Sequence, residues 1–311
     1  MDNSTNPPYF NLTMFFNIGQ SYNLAFVLFF ILYLSIVFAN VIIIVVTARE
    51  NALHEPMYIF IMCLAVNSLY GSAGFFLRFL RDLLSSSHLI SRPECFVQIY
   101  VIYTYGSFEL SFLSVMAYDR YVAVCQPLHY HNKITKKTVI LLIGLAVTIP
   151  AIIVTPFVYL SSTLPLCGNA IPKVFCANWL VVKLSCVPTG LSDLFGMLVT
   201  TPVVFLPFVF VLYTYGRIFL ICRKRTSDFK RKVVQSCLPH IITFVNYSIN
   251  FFCDVALSRI DLESLNPYIA VILSLEFVVI PPLVNPLVYG LKLPEIRKCI
   301  LRMFQNPEKK V

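Results

Sequence analysis

Charged residues are scarce in this sequence, and their scarcity limits what the chain can be. Asp, Glu, Lys and Arg make up 13% of the 311 residues, whereas a soluble globular domain carries about 25%. Hydrophobic residues make up 58% and are gathered into long blocks. The first block, residues 23–48, has no charged residue and is long enough to cross a hydrocarbon layer of roughly 30 Å as a tilted helix. An ordinary soluble domain is therefore excluded.

The motifs of several enzyme classes are also missing. The sequence has no His-Glu-x-x-His zinc motif, no Gly-x-Ser-x-Gly nucleophile elbow and no P-loop. It has no internal repeat of the kind that transporters favour. The net charge of +9 is not accompanied by a basic and aromatic surface outside the apolar blocks, so we expect no nucleic-acid partner. We expect neither an enzyme nor a metal site.

Seven apolar blocks are long enough to span a membrane. Backbone groups in lipid must be hydrogen-bonded within the protein, so blocks of this length predict helices. The seven predicted spans are 23–48, 57–80, 93–122, 138–160, 193–222, 236–258 and 266–290. We therefore predict an all-α integral membrane protein, a seven-helix bundle over residues 23–290. It is preceded by an N-terminal segment, 1–22, and followed by a short amphipathic helix and tail, 291–311.

The orientation follows from two independent patterns. The N-terminal segment carries two glycosylation sequons, at Asn3 and Asn11, which require an extracellular N-terminus. With that orientation, 18 of the 24 basic residues fall on the cytoplasmic side, as the positive-inside rule demands. We expect a multi-pass protein of the plasma membrane, with its N-terminal segment extracellular and glycosylated and its tail cytoplasmic.

Four of the ten cysteines lie on the predicted extracellular side, where disulfides persist. Cys95 is at the outer end of the third span, and Cys167, Cys176 and Cys186 are in the long loop 161–192. Four cysteines allow three pairings, and their spacing alone does not choose among them.

Three ionisable residues of the third span suggest a functional role. Asp119 and Arg120 follow a long apolar run at its cytoplasmic end. Glu109 lies eleven residues before Arg120, close to three helical turns, so both side chains share one face of the helix. An acidic group within the membrane is costly and is a functional candidate by default.

Five sequence strings resemble signatures of one known family. They are "LHEPMYIF" (53–60), "MAYDRYVAVCQPLHY" (116–130), "TYGRI" (214–218), "KVVQSCLPH" (232–240) and "PPLVNPLVYGLK" (281–292). In this order, on seven spans, they are similar to those of vertebrate odorant (olfactory) receptors, which belong to the rhodopsin-like G-protein-coupled class. The resemblance implies a receptor that binds a small molecule in the outer half of the bundle and activates a stimulatory G protein that raises cyclic AMP. The alternatives are a non-olfactory chemosensory receptor and, from another class, a transporter.

The resemblance also implies a role for each matching residue. Arg120 would stabilise the inactive state by pairing with Asp119, and on activation it would leave Asp119 and contact the G protein. Asn40 would tie the first, second and seventh spans together. The residues of this predicted switch are Asp119, Arg120, Tyr121, Tyr215, Asn285, Pro286 and Tyr289.

Two disulfides and one ion site are implied in the same way. Cys95 would pair with Cys176, and Cys167 with Cys186. A sodium ion would bind near Glu109. Where the family often has an Asp in the second span this chain has Ser68, which would leave Glu109 as the only carboxylate of that site. No other cofactor is implied.

The predicted ligand site, as the resemblance implies, lies between the outer halves of the third, fifth, sixth and seventh spans. Its expected residues are Tyr103, Gly106, Ser107, Leu110, Phe251, Phe252, Val255, Arg259 and Glu276, and Ser248 stands where the family has a Tyr. Residues at this helical spacing are also typical of ordinary packing between helices. Arg259 at the rim favours an anionic or carboxylate odorant through a bidentate contact. Glu276 favours the competing hypothesis, a cationic odorant.

The tail predicts a helix on the inner leaflet. Ile296, Ile300 and Phe304 recur every four residues with basic residues between them, a pattern typical of helices that bind membrane lipids. Cys299 is a candidate for palmitoylation.

Overall fold

The computed structural model describes residues 6–16, 22–257 and 267–305. Over this part of the chain, seven long helical segments form the bundle. They are α1 (Tyr22–Arg49), α2 (Pro56–Leu83), α3 (Arg92–Cys125), α5 (Lys136–Ser162), α7 with α8 (Gly190–Thr200 and Leu206–Arg223), α9 (Ser227–Leu257) and α10 (Pro267–Lys292). The short helices are α4 (Tyr130–Lys133) and α6 (Asn178–Val182), and the last helix is α11 (Pro294–Gln305).

The predicted helical membrane fold is confirmed. Six of the seven segments in the described residues are long and apolar enough to cross a membrane. Their outward faces are apolar as well: Leu24 on α1 is 62% exposed and Leu206 on α8 is 63% exposed. The seventh segment, α9, is 31 residues long but less apolar, because it begins with charged residues and carries buried polar residues such as His240 and Asn250. Such an exterior is stable in lipid and not in water.

Local sequence determines how the central helix begins and where two others lose regular helical hydrogen bonds. Ser91 and Glu94 form a capping box at the start of α3, with a proline in the first turn. Pro150 and Pro156 lie inside α5. A π-helical turn, Thr201–Phe205, joins α7 to α8. It contains Pro202, which cannot donate the helical hydrogen bond. The predicted fifth span is therefore one helix with a local change of winding.

A small sheet at one end of the bundle was not predicted. It consists of β1 (Tyr9–Leu12), β2 (Leu89–Ser91) and β3 (Ala170–Ile171), in the order β2-β1-β3. β1 is antiparallel to β2 and parallel to β3. Strand alternation buries Phe10 and Leu12 against the bundle while Tyr9 is exposed. We call this end of the bundle the sheet end, and the end where α3 terminates the opposite end.

The long loop is held at the sheet end by two disulfides. One joins Cys95, in the first turn of α3, to Cys176, and the other joins Cys167 to Cys186 within the loop. These are the pairings that the family resemblance implies. The first links the loop to the central helix.

The last helix, α11, packs against the bundle at the opposite end. Ile296 is fully buried and Ile300 packs partly against the core, while the side chain of Phe304 lies outside the described residues. Cys299 is 5% exposed and belongs to the same core. A palmitoyl chain on Cys299, the candidate site named from sequence, would have to be accommodated inside this packing.

Candidate functional site

The acid–base pair on α3 forms a closed network at the opposite end of the bundle. Arg120 Nη2 lies 2.6 Å from Asp119 Oδ2, with Asp119 1% and Arg120 15% exposed. The Tyr130 hydroxyl donates to Asp119 Oδ1 at 2.8 Å. Burial, with the charge of Asp119, raises the pKa of Tyr130, so its phenol stays protonated and remains a donor. Asp119 is thus held from both sides.

The same arginine also joins two helices. Arg120 Nη1 donates to the Ser236 hydroxyl on α9 at 2.7 Å. A charge-assisted hydrogen bond of this kind is stronger than one between neutral groups. The guanidinium therefore ties α9 to α3 while it remains paired with its own acid.

A second link between helices lies one layer deeper. His240 on α9 is fully buried, with Nε2 2.9 Å from the Leu113 carbonyl on α3 and Nδ1 2.6 Å from the Tyr215 hydroxyl on α8. A carbonyl only accepts, so Nε2 carries the proton and Nδ1 accepts from Tyr215. The Thr243 and Tyr289 hydroxyls share a hydrogen bond of 2.8 Å between α9 and α10. In this layer α3, α8 and α10 each contact α9 through one hydrogen bond.

Glu109 lies at the centre of the bundle among amide groups. Its two carboxylate oxygens accept hydrogen bonds from the Asn67 and Asn285 side chains, of α2 and α10. Asn40 on α1 donates to the Pro282 carbonyl on α10 at 2.9 Å. Thus Asn40 joins α1 to α10, and Glu109 joins α3 to α2 and α10.

The surroundings of Glu109 fit a hard cation such as sodium. Three buried oxygen atoms close to this network, Asn67 Oδ1, Ser68 Oγ and Asn285 Oδ1, have no hydrogen-bond partner in the described part of the chain. Oxygen atoms of this type, with a carboxylate, are what such cations prefer. The site has a single carboxylate from α3, because Ser68 on α2 is neutral.

Two other switch residues lie in the expected regions. Tyr121 packs against a small buried cluster of Ile218, Val233 and Cys237 at the opposite end. Pro286 lies inside α10, directly after Asn285, at a position where a proline removes a helical hydrogen bond.

The α3 residues of the predicted ligand site lie within the packed interior. Leu110 is 1% exposed, and the Ser107 hydroxyl donates to its own helix at the Tyr103 carbonyl. Gly106 accepts a hydrogen bond of 2.9 Å from the Tyr247 hydroxyl on α9 at its carbonyl. A Cβ atom at Gly106 would lie 2.9 Å from Phe277 Cζ on α10. A larger residue at position 106 would therefore force the Phe277 ring to shift, so glycine suits the close approach of α3 to α10.

The α9 residues of this site divide between interior and exterior. The Phe251 ring stacks with that of Tyr247, with centroids 6.1 Å apart. Phe252 and Val255 are 41% and 42% exposed, and the Phe252 ring contacts that of Phe208 on α8. Tyr247, and not Ser248, supplies the contact to α3, since Ser248 bonds within its own helix. Arg259 lies outside the described residues.

A group of charges lies between the long loop and α9 and α10. Lys173 Nζ contacts Asp254 Oδ1 at 2.6 Å, with Lys173 1% exposed. Glu276 on α10 is near enough to both for their charges to act on it. This group is at the sheet end of the predicted ligand site.

Sequence reasoning missed several residues of these networks. Tyr130, Ser236 and His240 lie within strings that resemble the family signatures. The sequence of a motif does not show which residue a polar side chain in it will contact. Lys173 had no signal at all, because a lysine in a loop is normally solvated.

Comparison with known proteins identifies the family. A family model of the olfactory receptors matches residues 29–307. Olfactory receptor 10C1 of Homo sapiens is 31% identical, over 96% of this chain and 95% of that protein. Olfactory receptor 10A6 of Homo sapiens is 29% identical (96% and 94%), and olfactory receptor 4B13 of Mus musculus is 30% identical (96% and 97%). The chain belongs to the olfactory receptor family, a family of multi-pass membrane receptors and not of enzymes.

Proposed function

We propose that this protein is an odorant receptor of the plasma membrane that raises cyclic AMP through a stimulatory, olfactory-type G protein. The sheet end faces the outside. The sequon at Asn11 lies in β1. One disulfide joins α3 to the long loop and the other lies within that loop, features that suit the extracellular side. The opposite end, rich in basic residues, faces the cytoplasm and meets the G protein.

The observation that carries this proposal is the position of Arg120 between two partners. Its guanidinium is paired with Asp119 on α3 and bonded to Ser236 on α9. Moving α9 away from α3 breaks the second contact and leaves an arginine donor at the cytoplasmic face. The network is thus a two-state element that a ligand can bias from a distance.

The odorant binds at the sheet end of the bundle, where α3, α9 and α10 approach each other. Tyr247, Phe251 and Phe277 form an aromatic wall around Gly106. A ligand that changes this packing changes the angle of α9, which is the helix that Arg120 and His240 hold. Sodium at Glu109 would stabilise the interior between these two regions.

The charge of the odorant is a separate question. A carboxylate held by Arg259 stays a prediction from sequence, because Arg259 lies outside the described residues. The described residues bear on the competing hypothesis, a cationic odorant bound by Glu276.

The switch is tested by Arg120→Ala in cells that report cyclic AMP. Signalling should be lost, because the variant removes the group that meets the G protein, while ligand-induced stabilisation of the purified receptor should persist. Arg302→Ala, which removes an arginine from the exposed face of α11, is the matched control and should signal normally. Full signalling by Arg120→Ala, or an unchanged response in cells that lack the stimulatory α subunit, would contradict the proposal.

A further inference from the structure

Lys173 is a buried cation that already has its counter-ion. It lies in the long loop, 1% exposed, with its ammonium 2.6 Å from Asp254 on α9 and 4.8 Å from the centre of the Phe175 ring. Because a buried charge is stable only when it is paired, Asp254 and the Phe175 ring account for this lysine. Lys173 and Asp254 together contribute no net charge.

Glu276 is the acid that remains. The Cys253 thiol is within hydrogen-bonding reach of its carboxylate, but the Oε1 atom is buried and accepts no hydrogen bond from the described part of the chain. The charges of Asp254 and Lys173 both act on Glu276. Two carboxylates therefore face one ammonium among the described residues, so Glu276 has no cation of its own in this part of the chain.

Aromatic residues stand next to Glu276 and close to Asp254 in the sequence. Phe277 follows Glu276 on α10, and its ring centre is 6.0 Å from that of Tyr247 and 6.2 Å from that of Phe251. Phe251 is three residues before Asp254, one turn deeper on α9. Ammonium ions are attracted both to carboxylates and to the faces of aromatic rings.

We propose that the odorant of this receptor is a small organic ammonium ion, an amine that is protonated at neutral pH. Its charged nitrogen pairs with Glu276, its hydrocarbon part packs against Phe251 and Phe277, and the pair formed by Lys173 and Asp254 closes the site at the sheet end. This inference rests on the proposed function and specifies the ligand class of the same site.

An anionic ligand fits these residues poorly. It would lie against the uncompensated carboxylate of Glu276, where like charges repel. It could gain Lys173 only by breaking the contact of 2.6 Å with Asp254, which would leave Asp254 unpaired. Both effects disfavour an acid and favour a base.

The test uses four probes of equal chain length with the full-length receptor: n-hexylamine, hexyltrimethylammonium, hexanoic acid and 1-hexanol. Two readouts are measured, cyclic AMP in cells and thermal stabilisation of the purified receptor. The two ammonium probes should act in both, and Glu276→Gln should weaken them about ten- to a hundredfold without changing 1-hexanol. Glu295→Gln, the same change on α11 where the side chain is 50% exposed, should change nothing.

A second variant separates a change of charge from a change of fold. Lys173→Met leaves Asp254 unpaired and makes the group more negative, so it should increase the potency of the ammonium probes. A loss of folding would lower all responses together and would not reverse the order of the probes. Unchanged or lower potency of the ammonium probes relative to 1-hexanol in this variant would contradict the inference.

The two readouts distinguish failure of this inference from failure of the proposed function. Stabilisation by the ammonium probes that depends on Glu276, without cyclic AMP, would uphold the ligand class and refute the coupling. If hexanoic acid or 1-hexanol stabilises the receptor and raises cyclic AMP, and the ammonium probes do neither, the coupling is upheld and the ligand class is refuted. If neither ammonium probe stabilises the purified receptor, the inference is overturned, whatever the other probes do.

Discussion

Ser236→Ala should make the receptor active without ligand. The hydroxyl of Ser236 is the acceptor through which Arg120 holds α9, at 2.7 Å, and it is the contact that opening of the bundle must break. Removing it destabilises the closed arrangement alone, because the open arrangement does not contain it. The variant should therefore shift the equilibrium toward the open state.

The size of the shift follows from the environment of the contact. Arg120 is 15% exposed, so water replaces the lost partner only in part. A hydrogen bond to a charged group contributes about 1.5–3 kcal/mol, and the lower figure is appropriate because Arg120 keeps Asp119. About 1.5 kcal/mol changes the equilibrium constant about tenfold, so a receptor that is about 1% active at rest should become about 9% active.

Basal cyclic AMP, divided by the amount of receptor at the cell surface, is the measurement. Ser35→Ala is the matched control, since the Ser35 hydroxyl bonds within its own helix, α1, and joins no two helices. Adding Arg120→Ala to Ser236→Ala should abolish the gain, because the released group is then absent. Basal activity of Ser236→Ala at or below the wild-type level, with normal surface expression, would refute the role assigned to this contact.

Three other predictions concern the sheet end. Cys95→Ser or Cys176→Ser should abolish surface expression, because the long loop loses its link to α3 and a thiol is left free; normal surface staining would contradict this. A glycan should be lost when Asn3 and Asn11 are both changed to Gln, seen as a faster band on a gel, and a mass shift that survives in the double variant would disprove an extracellular N-terminus. Burial lowers the pKa of His88, so the unfolded chain takes up its proton first as the pH falls. The purified receptor should therefore lose thermal stability below about pH 6.5, and His88→Phe should lessen that loss.

The helices could be predicted from sequence because their cause is local. A charge-free block such as 23–48 has one stable conformation in lipid, and α1 begins at Tyr22 and ends at Arg49. The sheet could not be predicted in this way, because its strands are two to four residues long and their pairing depends on chain segments far apart. Strands of that length carry no recognisable periodicity.

The candidate site was predictable in its positions and not in its contacts. Motif resemblance located Arg120, whose neighbours in sequence are characteristic. Helical spacing from Arg120 and the cost of an acid within the membrane singled out Glu109. It did not reveal that Ser236 accepts from Arg120 or that Lys173 pairs with Asp254. Those contacts depend on the rotation of α9 and on the path of the long loop, which a single sequence does not determine.

The central place of β1 in the sheet has a consequence for the order of biosynthesis. Thr13, just after β1, bonds to the Ile171 carbonyl, a partner 158 residues later in the chain. Chains are made at about 5–20 residues per second, so the first residues wait for at least eight seconds, roughly, before their neighbours in β3 exist. During that time β1 has at most one of its two neighbouring strands. A lumenal chaperone that holds this segment would therefore bind it soon after it is made and release it only when β3 is present. A bulky epitope fused close to Tyr9 would hinder the pairing of β1 with β3 more than any earlier step of folding.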